Sequence, residues 1–222
     1  MFKGKVVAFA LMLLFATSVY AGDVDDCNSN AGIYPCAQMQ ITICPAGDFE
    51  FIRNACGGTA DYIWIEARDA SNNPIPGIPW TDYWLNSCDP LKQLCLCASP
   101  VVADSLTGAN GRTTFSGRIA GGGCTLSQGI WWAIQGKPIK AKPCPNPNNL
   151  CLNVIVKSPD LTGTGGAPDC KVVLGDLVPF GPSYNKNLGQ GGYNACCDYN
   201  DDNKCNLSDL AFFGTHYQHQ CF

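Results

Sequence analysis

Residues 198–209 read DYNDDNKCNLSD, and oxygen-bearing side chains stand at the first, third, fifth, ninth and twelfth places: Asp198, Asn200, Asp202, Asn206 and Asp209. Lys204 holds the seventh place, where only a backbone carbonyl is needed. A hard cation such as calcium takes about six to eight oxygens at short range, and this spacing wraps them round one centre. Asn203 occupies the sixth place, where the chain must turn through a positive φ that glycine tolerates best and asparagine next. Leu210, Phe213 and Tyr217 then recur at helical spacing, as a helix leaving the loop should. Asparagine–aspartate turns without a metal are common, but five ligands in register favour calcium.

The loop feeds a repeated element. DLVPFGPSY (176–184) and DLAFFGTHY (209–217) share Asp, Leu, Phe, Gly and Tyr at a constant offset of 33 residues. Upstream of the first copy, Asp160, Thr162 and Thr164 open a weaker candidate loop that Asp176 closes. Asp160 and Asp176 are 16 residues apart, against 11 for Asp198 and Asp209, so five extra residues intrude, among them Asp169 as a further oxygen source. Pro179 and Pro182 are expected to interrupt the helix that follows. A distorted first site is the expectation.

The spacing Asp-x-Asn-x-Asp-x-x-x-Asn-x-x-Asp-Leu resembles the calcium loop of dockerin modules, a form of EF-hand that often ends in Asp. Dockerins carry two loop–helix units in tandem, as residues 158–222 do here. The resemblance implies a small α-helical, calcium-dependent module that docks onto a protein partner. A bridge from Cys196 or Cys197 to Cys221 would then clasp the calcium unit, and Cys205 would lie near the partner loop with Cys170 as its mate.

The compartment follows from the start of the chain and from its cysteines. Lys3 and Lys5, the apolar run from Val6 to Phe15, and Val19 and Ala21 before Gly22 form the three parts of a secretory leader, expected over residues 1–21. All 15 cysteines follow it, with no Cys-x-x-Cys pair, which reads as a disulfide framework of seven bridges and one cysteine left over. Losing Lys3 and Lys5 takes the formal net charge from −4 to −6, and no basic stripe offers a path for nucleic-acid phosphates. No later stretch is apolar for long enough to span a membrane.

Residues 22–157 read as strand and turn. Short β-prone runs are expected at 39–44, 49–52, 61–69, 113–119, 129–135 and 150–157. Turn chemistry separates them at Pro45–Gly47, Asn72–Pro74, Gly108–Gly111 and Gly121–Gly123. An antiparallel β-sandwich follows, with its boundary to the C-terminal module at residues 157–160. IEARDASNNPIPGIP (65–79) and SLTGANGRTTFSG (105–117) resemble the strand–turn–strand phrase and later hairpin of bacterial immunoglobulin-like domains. The fold class expected is thus mainly β: an immunoglobulin-like sandwich with a small helical dockerin-like module.

No catalytic constellation is evident, and no enzyme is expected. The acids of the β region (Asp48, Glu50, Asp61, Glu66, Asp69, Asp82, Asp89 and Asp104) stand mostly at strand ends and turns. His216 and His219 read as surface or packing residues; a zinc site built on them needs a cysteine thiolate, which oxidation would remove. Trp131 and Trp132 must face opposite sides of a strand, and Trp80, Tyr83 and Trp84 cluster after the NPIPG turn. These aromatics read as packing, or else as a sugar-binding platform. The functions left open are extracellular adhesion, anchoring or assembly through a partner or a second copy, polysaccharide binding with the tail as attachment, and a small hydrolase.

Overall fold

A computed structural model describes residues 22–47, 61–88, 94–97, 102–127, 129–139, 151–163 and 165–221. The expected leader, the strand expected at 49–52, and Asp48, Glu50, Asp89 and Thr164 lie outside the described residues. The described chain is mostly β, with several antiparallel sheets and two short α-helices.

The strands are β1 (Asn30–Tyr34), β2 (Met39–Thr42), β3 (Tyr62–Glu66), β4 (Tyr83–Ser87), β5 (Leu94–Leu96), β6 (Arg112–Phe115), β7 (Gly121–Gly123), β8 (Ile130–Ile134), β9 (Lys137–Ile139) and β10 (Val154–Lys157). β1–β3–β6 and β4–β8–β9 form antiparallel sheets, and β5 pairs with β7. Alternation builds the core, because successive side chains on a strand point to opposite faces. Ile63 and Ile65 of β3 are fully buried, as are Ile130, Trp132 and Ile134 of β8, and Phe115 meets the edge of Trp132 at 5.2 Å.

Two expectations change. β2 and β10 pair in parallel, with Met39 opposite Val154 and Thr42 opposite Lys157. Strands so far apart in sequence have no hairpin to impose antiparallel pairing. Gly121–Gly123 is a buried strand, where turn chemistry predicts a turn. A Cβ on Gly121 would lie 2.6 Å from the carbonyl oxygen of Cys95, and one on Gly122 would lie 1.8 Å from Asp160 Oδ2. Glycine is there because backbone and carboxylate approach too closely for a side chain.

Beyond β10 come α1 (Leu177–Ser183), β11 (Lys186–Asn187), β12 (Lys204–Cys205) and α2 (Leu207–His216). They enclose a second core of Val172, Phe180, Cys197, Tyr199, Cys205 and Phe213, separate from the one that ends at Val156. Disulfides Cys95–Cys170, Cys97–Cys221 and Cys124–Cys196 bolt this half to the β-sheets, and Cys88–Cys151 lies within them. The expected clasp between Cys196 or Cys197 and Cys221 is therefore absent, and Cys170 does not pair with Cys205. The backbone explains why: Cys221 N donates to Cys170 O (3.1 Å), so these two neighbours meet Cys95 on β5 and Cys97 just past its end. Cys44, Cys197 and Cys205 keep their thiols, all buried, where one left-over cysteine was expected.

Candidate metal centre

The closing carboxylate of the second loop is built by its helix. Asn206 caps α2, its Oδ1 accepting from Ser208 N (2.7 Å), and Asp209 in the first turn reaches back to accept from Asn206 N (2.9 Å). The other oxygen of Asp209 accepts from Tyr199 N (2.7 Å) and Asn200 N (3.4 Å). Asp198 is buried and accepts from Asp202 N (3.1 Å), Asn203 N (3.0 Å) and the Tyr193 hydroxyl (2.8 Å). One carboxylate oxygen each of Asp198, Asp202 and Asp209 lies within 4.8 Å of the others.

The remaining predicted ligands line the same loop. Asn200 Oδ1 accepts from Asp202 N (3.2 Å), and the Asn200 and Asn206 amides donate to Asp202 Oδ2 at 3.4 and 3.3 Å. Lys204 N donates to Asp202 Oδ1 (2.9 Å). Asn203 has φ +64°, the left-handed turn expected of the sixth place. Burial pushes the Asp209 carboxyl above its usual range, outweighing the three backbone N–H groups, and the Asp198 charge adds to the rise. Lys157 is the cation set beside the cluster: Nζ donates to Asp198 O (2.7 Å) and Asp201 Oδ1 (2.9 Å) and stands 3.9 Å from Asp198 Oδ2. One ammonium beside three converging carboxylates leaves a negative, all-oxygen donor set, which is what calcium takes.

The first loop repeats the closing half. Asp176 Oδ1 accepts from Leu161 N (2.9 Å) and Thr162 N (2.7 Å), and Oδ2 from Val173 N (2.7 Å). These are the same loop positions that Asp209 holds. The Thr162 hydroxyl also donates to Asp176 Oδ1 (3.1 Å). Asp160 is wholly buried, its Oδ1 accepting from Asp169 N (3.4 Å) while Oδ2 has no partner among the described residues. Burial first, then the charges of Asp176 and Asp169, raise its pKa to about 7. Among the described residues, Asp160, Asp169 and Asp176 do not converge as the second set does. A buried carboxylate with an orphaned oxygen fits a cation, but the insertion holds the third acid away.

The prolines do not abolish the first helix. A 3-10 turn (Leu174–Asp176) runs into α1, so ten residues correspond to the ten of α2. Pro179 lies in the first turn of α1, where an N–H has no acceptor within the helix. Pro182 lies in its last turn.

The repeat also extends further than the shared residues. Asn187 pairs with Lys204 as Gln220 pairs with Lys171, and left-handed residues recur at Cys170 and Asn203 and at Asn185 and Gln218, all offset by 33. Sequence reading missed this half of the symmetry because hydrogen bonding and backbone conformation carry it, not residue type. Lys157 and Tyr193 were also missed, being brought to the loop only by the fold.

No family model matches the chain, and no curated protein matches it. Several solved chains do, among them two interface mutants of a type II cohesin–X-dockerin complex from Acetivibrio cellulolyticus. Each is 13% identical and covers 86% of this chain, and 97% and 96% of those chains, at a TM-score of 0.30. A likeness that low carries no argument. Among the described residues no helix is long and apolar enough to cross a membrane.

Proposed function

We propose that this chain is an extracellular, calcium-binding anchoring or assembly protein, not an enzyme: an immunoglobulin-like β-sandwich bearing a dockerin-like pair of loop–helix units. Calcium would be held by Asp198, Asn200, Asp202 and Asp209, the Lys204 carbonyl, and Asn206 through water. The four described disulfides suit an oxidising compartment.

The observation that carries the docking role is a duplicated apolar face. Leu174 and Leu207, one repeat apart, are 66% and 67% exposed, and Tyr184 and Tyr217, also one repeat apart, are 39% exposed each. Large apolar side chains left outside in symmetric pairs suit a protein partner. The test is light scattering of the leader-free chain with calcium and then with chelator, repeated with Leu174→Glu/Leu207→Glu. Assemblies that dissolve on chelation and fail to form in the double variant make a second copy the partner. Absence of calcium binding by calorimetry would remove the calcium reading altogether.

One observation favours polysaccharide binding as a second reading. Trp80 and Trp84 are 48% and 41% exposed at the start of β4, whereas Tyr83 and Trp132 are buried. Retention on insoluble glycans that is lost with Trp84→Ala would establish it. Glu66 does not help a hydrolase: it is tied to Arg68 and Arg112, which outweigh its burial and hold its pKa below the usual value.

A further inference from the structure

The two histidines do not stand apart from the cysteines. His216 closes α2, and His219 N donates back to His216 O (3.0 Å) through a turn in which Gln218 takes φ +69°, so both imidazoles reach one spot. Cys44, just past β2, meets them there. His216 Nδ1 is 3.3 Å from His219 Nδ1, and Cys44 Sγ is 3.5 Å from the same nitrogen. The three ligand atoms all lie within 4.8 Å of one another.

We propose that Cys44, His216 and His219 bind a zinc ion that clamps the C-terminal half to the β-sheets. Zinc bonds of about 2.0–2.1 Å to nitrogen and about 2.3 Å to sulfur, at tetrahedral angles, separate two nitrogens by about 3.3 Å and a sulfur from a nitrogen by about 3.6 Å. Both observed contacts match those edges. A hydrogen bond between two imidazoles accounts for one contact, but gives no reason for a soft third ligand to stand beside them. One thiolate and two imidazoles with no carboxylate exclude calcium and magnesium and select a borderline transition ion. Zinc has no redox chemistry and leaves the thiolate intact.

The site is pre-organised. Cys44 O accepts from Gly47 N (2.9 Å) and Gly121 N (3.1 Å), and His219 O accepts from Val172 N (2.8 Å). The Cys97–Cys221 bridge anchors the chain two residues beyond His219. Cys44 and His216 are buried while His219 is half-exposed, which leaves a solvent side for ion entry and for a fourth ligand from water. Cys197 and Cys205 form no alternative: burial pushes both thiols up and keeps them protonated.

The test uses the full leader-free chain, stripped of metal and returned to excess calcium so that the acidic loops are not the site read out. Cobalt(II) is titrated as the spectroscopic probe and zinc as its competitor. The expected result is one equivalent of cobalt giving a thiolate charge-transfer band with intense tetrahedral visible bands, abolished by one equivalent of zinc. Cys44→Ser should lose the charge-transfer band, and His219→Gln should bind at least about 100-fold more weakly. His219 is half-exposed, so His219→Gln keeps its calcium-dependent melting rise and misfolding cannot imitate the loss. No band in the wild type, or the same band in both variants, overturns the site.

Discussion

In the second loop three carboxylates converge within 4.8 Å, whereas in the first two wholly buried acids repel each other and one oxygen of Asp160 has no partner among the described residues. Both loops nonetheless close alike: Asp176 and Asp209 each gather backbone N–H groups from the second and third loop places and from three residues upstream. The closing aspartate is thus a scaffold in both units, and convergence of the opening residues is what the proposed metal site has and the first loop lacks. A five-residue insertion is tolerated because backbone hydrogen bonds need only the two ends of the loop, while a cation needs every ligand at once.

The strongest way to break this comparison is to remove the closing carboxylates one at a time. Asp176→Ala and Asp209→Ala each strand three backbone donors, most of them half-buried, and each should destabilise the chain by roughly 2–4 kcal/mol in denaturant unfolding. Only Asp209→Ala should also erase the calcium-dependent gain. If Asp176→Ala erases it as completely, the two loops are one site.

The next effect is pH-dependent. Asp160 has a folded pKa of about 7 against an ordinary 3.8, so the folded state holds this proton more tightly than the unfolded chain does. Its stabilising contribution is full below pH 4 and is lost as pH rises toward 7. In chelator, the protein should gain roughly 2 kcal/mol between pH 7 and pH 5, and Asp160→Asn should flatten that slope. A wild-type profile already flat over this range would mean that a neighbour has neutralised Asp160.

The smallest test compares the left-handed places. Asn203 (φ +64°) stands where a glycine would relax the backbone, and Asn203→Gly should stabilise the fold slightly, by up to about 1 kcal/mol in denaturant unfolding, with calcium binding kept. Its repeat mate Cys170 (φ +62°) is bridged to Cys95, so Cys170→Gly should destabilise instead, by about 2–5 kcal/mol. Effects of opposite sign from the same replacement would mark the first loop as held by covalent anchoring, which the second loop lacks at the matching place.

Much of the β region was legible because alternation of apolar residues is a local signal: Ile63 and Ile65, and Ile130, Trp132 and Ile134, mark their strands directly. β7 was illegible because three glycines carry no pattern, and only the approach of Cys95 O and Asp160 explains them. The second loop was legible for a related reason, since its oxygens come from twelve consecutive residues.

Determined by sequence alone were the features carried by local pattern: the spacing of oxygen-bearing side chains from Asp198 to Asp209, the 33-residue repeat, and the β-rich body ahead of it. Only the tertiary structure decided which cysteines meet, that Lys157 stands beside Asp198, and that Cys44 reaches His216 and His219 across more than 170 residues. Such contacts depend on how strands and helices are stacked, and stacking is set by packing over the whole core, which no local stretch of residues encodes.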